Sequence, residues 1–247
     1  MLAASAEAPP MQAVISAKSR SLEIEITADQ RLRTDPRLYE SILTDANRLT
    51  AKRQQEAEKY WRDEKVMFQH GAWAFERGYY FDAAAGPYIG LSILDYSYSG
   101  GAHPNQRTTS ILWDRDQGKR VSIAVLFRET KPDGPTMTAL AELIREEVAR
   151  EKRERNVEVD EPLETDLSLS AIKADLTTFG APILVASTLE GKLAGIDFHF
   201  SAYDVGAYAE GAYGAYLPWR ALEPYLTERA RALFGGARKD ESGEQKN

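Results

Sequence analysis

The chain has 247 residues, of which 43% are hydrophobic and 28% charged, which is typical of a folded globular protein and excludes a disordered, collagenous or coiled-coil chain. It contains no cysteine, which excludes disulfides and cysteine chemistry, and its 38 acidic against 31 basic residues (net charge -7) argue against a nucleic-acid partner. No apolar run approaches the ~20 residues of a membrane-spanning helix, so we predict no transmembrane segment.

Both ends of the chain lack the periodicity of packed elements. The opening residues, MLAASAEAPP, resemble the remnant of an export signal or lipoprotein leader, and Leu2–Ser5 would match a lipobox if Ser5 were cysteine. We therefore predict a leader stub or flexible N-terminus over 1–11, with a lipid anchor on the native precursor as an open alternative. The segment 235–247 combines glycine with mixed charges, which predicts a disordered tail.

The first elements are a strand and a long helix. Strict alternation over Leu22–Ile26 predicts a strand with one face in water. Asp35-Pro36 predicts a helix start, because the carboxylate caps free N–H groups and proline fits the first turn. The apolar residues that recur at helical spacing are Leu38, Ile42, Ala46 and Leu49. The alternating charges beyond Ala51 predict a solvated helical face.

From Ala72 to Phe127 the pattern changes to strands. Several aromatic residues share one parity, namely Trp73, Phe75, Tyr79 and Phe81. Over Tyr88–Tyr98 apolar residues fall on both faces of the predicted strand for part of its length, which predicts a central strand. Arg107–Trp113 and Val121–Phe127 flank a turn with Gly118, so we predict a hairpin.

The second half continues with mixed elements. Helical spacing through Met137, Leu140, Ile144 and Val148 predicts a helix, and Leu167–Leu176 predicts a short one. A second hairpin is predicted from Ile183–Ala186 and Leu193–Phe200. We predict a last strand over Tyr213–Leu217 and a last helix opened by Pro224. Together these elements predict an α+β fold of mainly antiparallel sheets with helices packed on one face of each sheet, in two intimately packed subdomains.

Known catalytic and cofactor motifs are missing from the sequence: it has no GxSxG, P-loop, GxGxxG at a strand–helix junction or HExxH. We predict no cofactor, metal site or catalytic residue. Asp197 and His199 lie two apart on one strand parity and could share a metal or a proton; the alternative is a polar pair on a wet face. His70 lies in a predicted loop.

The segment Tyr98–Asn105 is the first candidate binding element. Gly100 and Gly101 permit unusual backbone angles, and Pro104 holds His103 extended. Such a turn can aim the His103 imidazole and the Asn105 carboxamide at one point. It can equally be a structural corner in which both side chains cap backbone groups.

The second candidate is a tyrosine-rich segment in the last quarter of the chain. Its predicted ligand-binding residues are Tyr203, Asp204, Tyr208, Tyr213, Tyr216 and Trp219. Aromatic rings interleaved with small residues suit a stacking surface for sugar rings or an interface anchor. The alternative is a core seam between sheet and helix.

Two stretches of the chain resemble extracytoplasmic domains of the RsiV and PdaC type. They are YSYSGGAHPN (Tyr96–Asn105), continued by Ile111–Phe127, and the long segment Phe179–Leu226. In that family a strand is followed by a tyrosine, an acid, and a small-residue segment with another tyrosine and a glycine. The positions that match are Tyr203, Asp204, Tyr208 and Gly211, although the family usually has Glu where this chain has Asp204 and Pro where it has Ala207.

The resemblance implies a PdaC-like subdomain over 12–104 and an RsiV-like subdomain over 105–234, located in the periplasm or otherwise outside the cytoplasmic membrane. The resemblance does not fix the ligand. Together with the aromatic segment and the missing catalytic motifs, it predicts a non-catalytic binding module of the cell envelope whose partner is a lysozyme-like protein or a cell-wall (peptidoglycan) glycan. One alternative is an enzyme that acts on envelope polysaccharide through Asp197, His199, Asp204 or His103. Another is a purely structural role. The solvent exposure of the tyrosines distinguishes these hypotheses: exposed rings indicate a binding site, and buried rings indicate a structural core.

Overall fold

The computed structural model describes residues 11–69 and 71–239. The predicted leader stub up to residue 10, His70 and the end of the predicted tail, 240–247, lie outside the described residues. The first-half elements are β1 Met11–Lys18, β2 Leu22–Asp29, α1 Pro36–Asp63, β3 Trp73–Ala85, β4 Tyr88–Tyr98, β5 Asn105–Asp114 and β6 Lys119–Val121. The remaining elements are α2 Pro135–Glu154, β7 Ala181–Ala186, β8 Leu193–Phe200, β9 Tyr213–Pro218, α3 Trp219–Leu222 and α4 Glu228–Arg231.

The strands form two sheets, which confirms the predicted α+β class. The first sheet has the order β1-β2-β3-β4-β5-β6 and the second the order β7-β8-β9. All neighbours are antiparallel except β2 and β3, which are parallel and joined by α1 as the crossover. Within the described ranges, none of the helices has the length and hydropathy that crossing a bilayer requires.

Helix α1 begins where the sequence predicts. Asp35 accepts the backbone N–H of Leu38 at 3.0 Å, and Pro36 occupies the first turn. The second carboxylate oxygen of Asp35 accepts the indole N–H of Trp113 in β5 at 3.2 Å. The N-cap therefore also ties the helix to the sheet that it covers.

The first sheet separates two hydrophobic cores. On one face it packs against α1; the buried residues there include Leu38, Ile42, Ala46, Ile26, Phe75, Tyr79 and Leu91. On the other face it packs against the second sheet, on which α2 packs in turn. The buried residues of this second core include Tyr88, Leu112, Met137, Leu140, Ile144, Ile196 and Phe198. Gly90 permits this second contact, because a Cβ there would lie 2.8 Å from Leu184 Cγ of β7.

Three predicted elements differ from the structure. The strand predicted over Val121–Phe127 ends with β6 at Val121, and a 3₁₀ turn follows over Ile123–Leu126, because Ser122 accepts the Ala124 N–H at 3.2 Å. The helix predicted over Leu167–Leu176 is wrong: the segment forms only short 3₁₀ turns, the first of them held by Asp166. The last helix is split, since Pro224 lies in a 3₁₀ turn between α3 and α4.

Both predicted ends are shorter than expected. β1 begins at Met11, which pairs with Asp29, so the flexible segment predicted over 1–11 does not reach β1. Gly235 N–H donates to the carbonyl of Leu193 at 2.9 Å, and Arg238 bridges to Ser187. These backbone bonds fix residues 235–239 of the predicted tail without any apolar periodicity. The subdomain division after residue 104 stays a prediction; the first sheet continues past it into β5 and β6.

Candidate functional site

His103, Tyr203 and Tyr208 meet at one surface, which we call the ring cluster. The His103 imidazole stacks on Tyr208 with ring centroids 3.9 Å apart and planes inclined by 24°. The rings of Tyr203 and Tyr208 are 5.4 Å apart. Tyr203 is 61% exposed, so its ring presents a face to solvent. The structure thus brings together two segments that lie about one hundred residues apart in the chain.

The hydrogen bonds of the ring cluster orient the His103 imidazole. Its Nδ1 lies 3.0 Å from the carbonyl oxygen of Pro104, which can only accept, so Nδ1 carries the proton. Nε2 lies 3.4 Å from the Tyr203 hydroxyl. The Tyr208 hydroxyl donates to the same Pro104 carbonyl at 2.8 Å. The imidazole is therefore oriented by its neighbours.

The backbone of Tyr203 is strained. Its φ of 75° lies in the left-handed region, which costs a residue with a Cβ about 1–2 kcal/mol. The turn around it is closed by Asp204, whose N–H donates to the Ser201 carbonyl at 3.0 Å and whose carboxylate accepts the Ser201 N–H at 2.9 Å. Strain that persists next to an exposed ring is a feature of functional sites.

A second set of contacts, which we call the β5 latch, joins this turn to the first sheet. Its residues are Arg107 and Thr108 of β5 and Ser201 and Asp204 of the turn. Arg107 Nη1 lies 3.3 Å from Asp204 Oδ1, and the Thr108 N–H donates to Ser201 Oγ at 2.9 Å. Arg107 and Ser201 could not be predicted as contact residues, because their partners are remote in the chain.

The loop before β5 is held from the other side. Gly100 has φ of 82°, and a Cβ there would collide with the carbonyl oxygen of Met67. Glycine therefore lets the loop pack against the 3₁₀ turn Lys65–Phe68. Asn105 begins β5, where it pairs with Ser97 and is exposed. Its side chain has no hydrogen bond within the described residues, so the structure does not bring it into the ring cluster.

Two cavities flank the β5 latch and both are lined by Thr108. The cavity beside the ring cluster measures about 350 Å³, and its lining includes Leu94, Gln106, His199, Ser201 and Tyr208. The cavity on the far side measures about 420 Å³, and its lining is rich in hydroxyls: Thr108, Thr109, Ser110, Thr177 and Thr178. Together the two cavities offer aromatic rings on one side of the β5 latch and hydroxyls on the other. Such a surface can bind a ligand with both apolar faces and polar edges.

Tyr213, Tyr216 and Trp219 lie away from the ring cluster. Tyr213 is 2% exposed, and the hydroxyl of Tyr216 donates to the Ala194 carbonyl at 3.1 Å. The Trp219 indole N–H donates to the Gly236 carbonyl at 3.0 Å. The core-seam alternative thus describes the buried Tyr213, whereas Tyr216 and Trp219 are half-buried with their polar atoms bonded inside the protein. Ligand binding stays a prediction, which we restrict to His103, Tyr203 and Tyr208.

Tyr213 belongs to a buried polar network. Its hydroxyl donates to Glu210 Oε2 at 2.8 Å, and the buried Lys152 ammonium donates to the same oxygen at 2.7 Å. The hydrogen bond from Lys152 is the main reason that the pKa of Glu210 falls to about 2. Burial and the Glu210 carboxylate raise the pKa of Tyr213 to about 12. The network pins the segment that follows the ring cluster to α2.

Asp197 and His199 lie on β8, and His199 lines the cavity beside the ring cluster. Burial raises the pKa of Asp197 above its usual value and lowers the pKa of His199. Asp197 Oδ1 is buried without a hydrogen-bond partner among the described residues. Across residues 11–69 and 71–239, no three histidine and acidic side chains are grouped closely enough to bind a metal ion.

Comparisons with known proteins identify relatives by fold alone. No protein-family model matches the chain, and no curated protein is significantly similar to it. A solved structure of a DUF3298 family member from Bacteroides fragilis NCTC 9343 is similar with a TM-score of 0.54 and 16% identity, over 89% of this chain and 94% of that one. A DUF3298 family protein from Pseudomonas aeruginosa PAO1 is similar with a TM-score of 0.51 and 15% identity, over 92% of this chain and 94% of that one.

Proposed function

We propose that this protein is a non-catalytic binding module of the RsiV and PdaC type, located outside the cytoplasmic membrane, that binds a cell-wall glycan at the ring cluster. The observation that carries the proposal is the exposed Tyr203 ring on a strained backbone, next to the stacked rings of His103 and Tyr208. The sequence resemblance and the likeness to DUF3298 structures support the family assignment.

A glycan suits the chemistry of the surface. Sugar rings have one apolar face that packs on aromatic rings and edges that hydrogen-bond with hydroxyls. The ring cluster offers aromatic rings for the apolar face, and the cavity beyond Thr108 offers hydroxyls for the polar edges. Both cavities have Thr108 in their lining, so the rings and the hydroxyls lie close to each other along β5.

The use of the carboxylates supports binding without turnover. Glycoside cleavage needs one carboxyl group as acid and a second as nucleophile or base. Asp204 is held by the Ser201 N–H and Arg107. Asp197 is half-buried on β8, and no hydrogen bond links its Oδ1 to any residue within the described ranges. The enzyme alternative would need Asp204 to be released from these bonds and paired with a second carboxyl group.

A lysozyme-like protein is the second candidate ligand, because the chain has a net charge of -7 and lysozymes are basic. Opposite charges accelerate association and orient the partners. The area of the ring cluster alone is small, so a protein partner would also have to cover the neighbouring surface of β5.

The test is calorimetric titration of the purified protein with soluble muropeptides and, separately, with lysozyme. We expect muropeptide binding that Tyr203→Ala weakens about tenfold, since loss of one stacking ring costs on the order of 1.4 kcal/mol. Tyr80→Ala is the matched control, because Tyr80 is also exposed but lies on β3. Absence of binding to both ligands, or release of cleaved sugar from the muropeptides, contradicts the proposal.

A further inference from the structure

An open groove between the first half of α1 and strand β6 carries more positive than negative charge. It measures about 610 Å³, and its charged lining residues are Arg37, Glu40, Asp45, Arg48, Lys119 and Arg120. Four of these side chains are cationic and two are anionic at neutral pH. Since the whole chain has a net charge of -7, the groove is a basic region on an acidic protein, and we call it the basic groove.

One carboxylate gathers three arginines at the floor of the basic groove. Asp45 Oδ1 accepts from Arg48 Nη2 at 2.8 Å, and Arg77 Nη1 lies 3.3 Å from Asp45 Oδ2. Arg120 Nη2, which comes from β6, lies 3.8 Å from the same Oδ2. Burial raises the pKa of Asp45, but the Tyr79 hydroxyl at 2.9 Å and the arginines outweigh burial, so that the pKa is lowered. Asp45 therefore stays ionised and holds guanidinium groups of different elements near one point.

This single carboxylate does not neutralise the arginines around it. Arg77 is paired by Asp95, whose two oxygens each lie 2.6 Å from its guanidinium. Asp45 is then shared by Arg48 and Arg120, and across residues 11–69 and 71–239 neither of these two arginines forms an ion pair with a second carboxylate. Two guanidinium charges thus face one carboxylate charge, which leaves a local excess of positive charge.

The guanidinium groups of Arg48 and Arg120 are open to a ligand. The side chain of Arg48 is 79% exposed and that of Arg120 is 39% exposed. Both arginines use Nη2 for their hydrogen bonds: Arg48 donates to Asp45, and Arg120 donates to the Ser41 hydroxyl at 3.3 Å. Because a guanidinium has five N–H donors, both side chains can bind an added acceptor without giving up these contacts.

We propose that the basic groove binds a phosphate group, which Arg48 and Arg120 hold between them. A carboxylate ligand has two oxygens, which one arginine fork satisfies. A phosphate group has three or more acceptor oxygens in a tetrahedron, so it accepts from two guanidinium groups that arrive from different elements. Arg37, whose guanidinium donates to the Arg115 carbonyl, adds positive potential from the other end of the groove. The basic groove shares no residue with the ring cluster.

The first experiment follows the arginine Nε–H signals of the protein by NMR during titration with sodium phosphate, with sodium chloride at matched ionic strength as the reference. We expect the signals of Arg48 and Arg120 to shift with phosphate and not with chloride. Arg120→Gln should weaken phosphate binding about tenfold, because a charged fork is lost. Arg62→Gln is the matched control, since Arg62 is exposed on the same helix but outside the groove. Absence of phosphate-specific shifts, or equal weakening in Arg62→Gln, overturns the proposal.

The second experiment separates a shaped site from general attraction between charges. Arg120→Lys keeps the charge but not the fork, and we expect it to bind phosphate more weakly than the wild-type protein. Glu40→Gln removes a carboxylate of the groove and should tighten binding about twofold. Wild-type affinity in Arg120→Lys overturns the proposal. Tyr203→Ala should leave phosphate binding unchanged, so this test does not depend on what the ring cluster binds.

The third experiment identifies the source of the phosphate group. The protein is sedimented with vesicles of phosphatidylglycerol and, separately, of phosphatidylcholine, which has no net charge. Cosedimentation with phosphatidylglycerol alone that Arg120→Gln abolishes assigns the groove to a lipid headgroup. Binding of inorganic phosphate without vesicle binding assigns it to a soluble phosphate compound. Both results support the phosphate site, and binding to neither probe overturns it.

Discussion

The Ser201 hydroxyl accepts the backbone N–H of Thr108 at 2.9 Å and thereby closes the free edge of β5. Along β5 the backbone groups of alternate residues point outward, and β6 covers only Leu112–Asp114. The backbone N–H and C=O groups of Gln106, Thr108 and Ser110 therefore point away from β4. Because an open strand edge invites pairing with other chains, the β5 latch both joins the sheets and shields this edge.

Ser201→Ala should destabilise the protein by about 1–2 kcal/mol, because the half-buried Thr108 N–H loses its acceptor. The measurement is the free energy of unfolding in urea. Ser110→Ala is the control: it removes a hydroxyl from the same strand, and that hydroxyl has no hydrogen bond within the described residues. Equal stability of the Ser201 and Ser110 variants would show that the latch bond contributes nothing.

The strain at Tyr203 predicts different stabilities for two variants that remove its ring. Tyr203→Gly should be about 1 kcal/mol more stable than Tyr203→Ala, because only glycine adopts a φ of 75° without a steric cost. Both variants lack the ring and should lose muropeptide binding to the same extent. Thermal unfolding compares their stabilities and calorimetry their affinities. An alanine variant as stable as the glycine variant would mean that the turn relaxes to a negative φ.

Local patterns predicted much of the fold. Asp35-Pro36 marked the start of α1, and alternation over Leu22–Ile26 marked β2, because caps and parity are set by neighbours in the chain. The 3₁₀ turn after Val121 was not predictable, since Ser122 and tertiary packing override the apolar run there.

The candidate site was predicted only in part. Tyr203, Tyr208 and His103 were named from the sequence, but whether each tyrosine of the segment is core or surface depends on strand parity in the second sheet. Tyr213 faces the same side as the buried Phe200 with which it pairs, so its ring is core. Arg107 carried no local signal for its contact with Asp204, because this contact joins remote segments of the chain.

Glu210 predicts a loss of stability in acid. Its pKa is about 2 in the folded protein and about 4.5 when unperturbed, so the folded state binds fewer protons than the unfolded state between these values. The stabilisation is fully present above pH 4.5 and is lost as the pH falls toward 2. Urea unfolding between pH 6 and pH 2.5 measures this loss.

Two variants test the assignment to Glu210. Glu210→Gln should flatten this part of the pH profile and destabilise the protein by about 3 kcal/mol at pH 6, because Lys152 is left buried without a charge partner. Glu161→Gln removes an exposed partner of Arg153 and should change stability by less than about 1 kcal/mol. An unchanged pH profile in Glu210→Gln contradicts the role of the Lys152 pair.

The raised pKa of Asp82 predicts that stability falls as the pH rises, which is the opposite of the trend predicted for Glu210. Burial raises its pKa to about 7, since only the Ser92 hydroxyl donates to it, at 2.7 Å, and its Oδ2 has no partner among the described residues. The folded state therefore binds more protons than the unfolded state between pH 3.8 and about 7, and its stability falls as the pH rises through this range. Asp82→Asn cannot ionise and should lack this decline, whereas Asp175→Asn, at an exposed turn, should retain it. Parallel urea unfolding of the three proteins at pH 4, 6 and 8 distinguishes the slopes, and an identical decline in Asp82→Asn would assign it to another group.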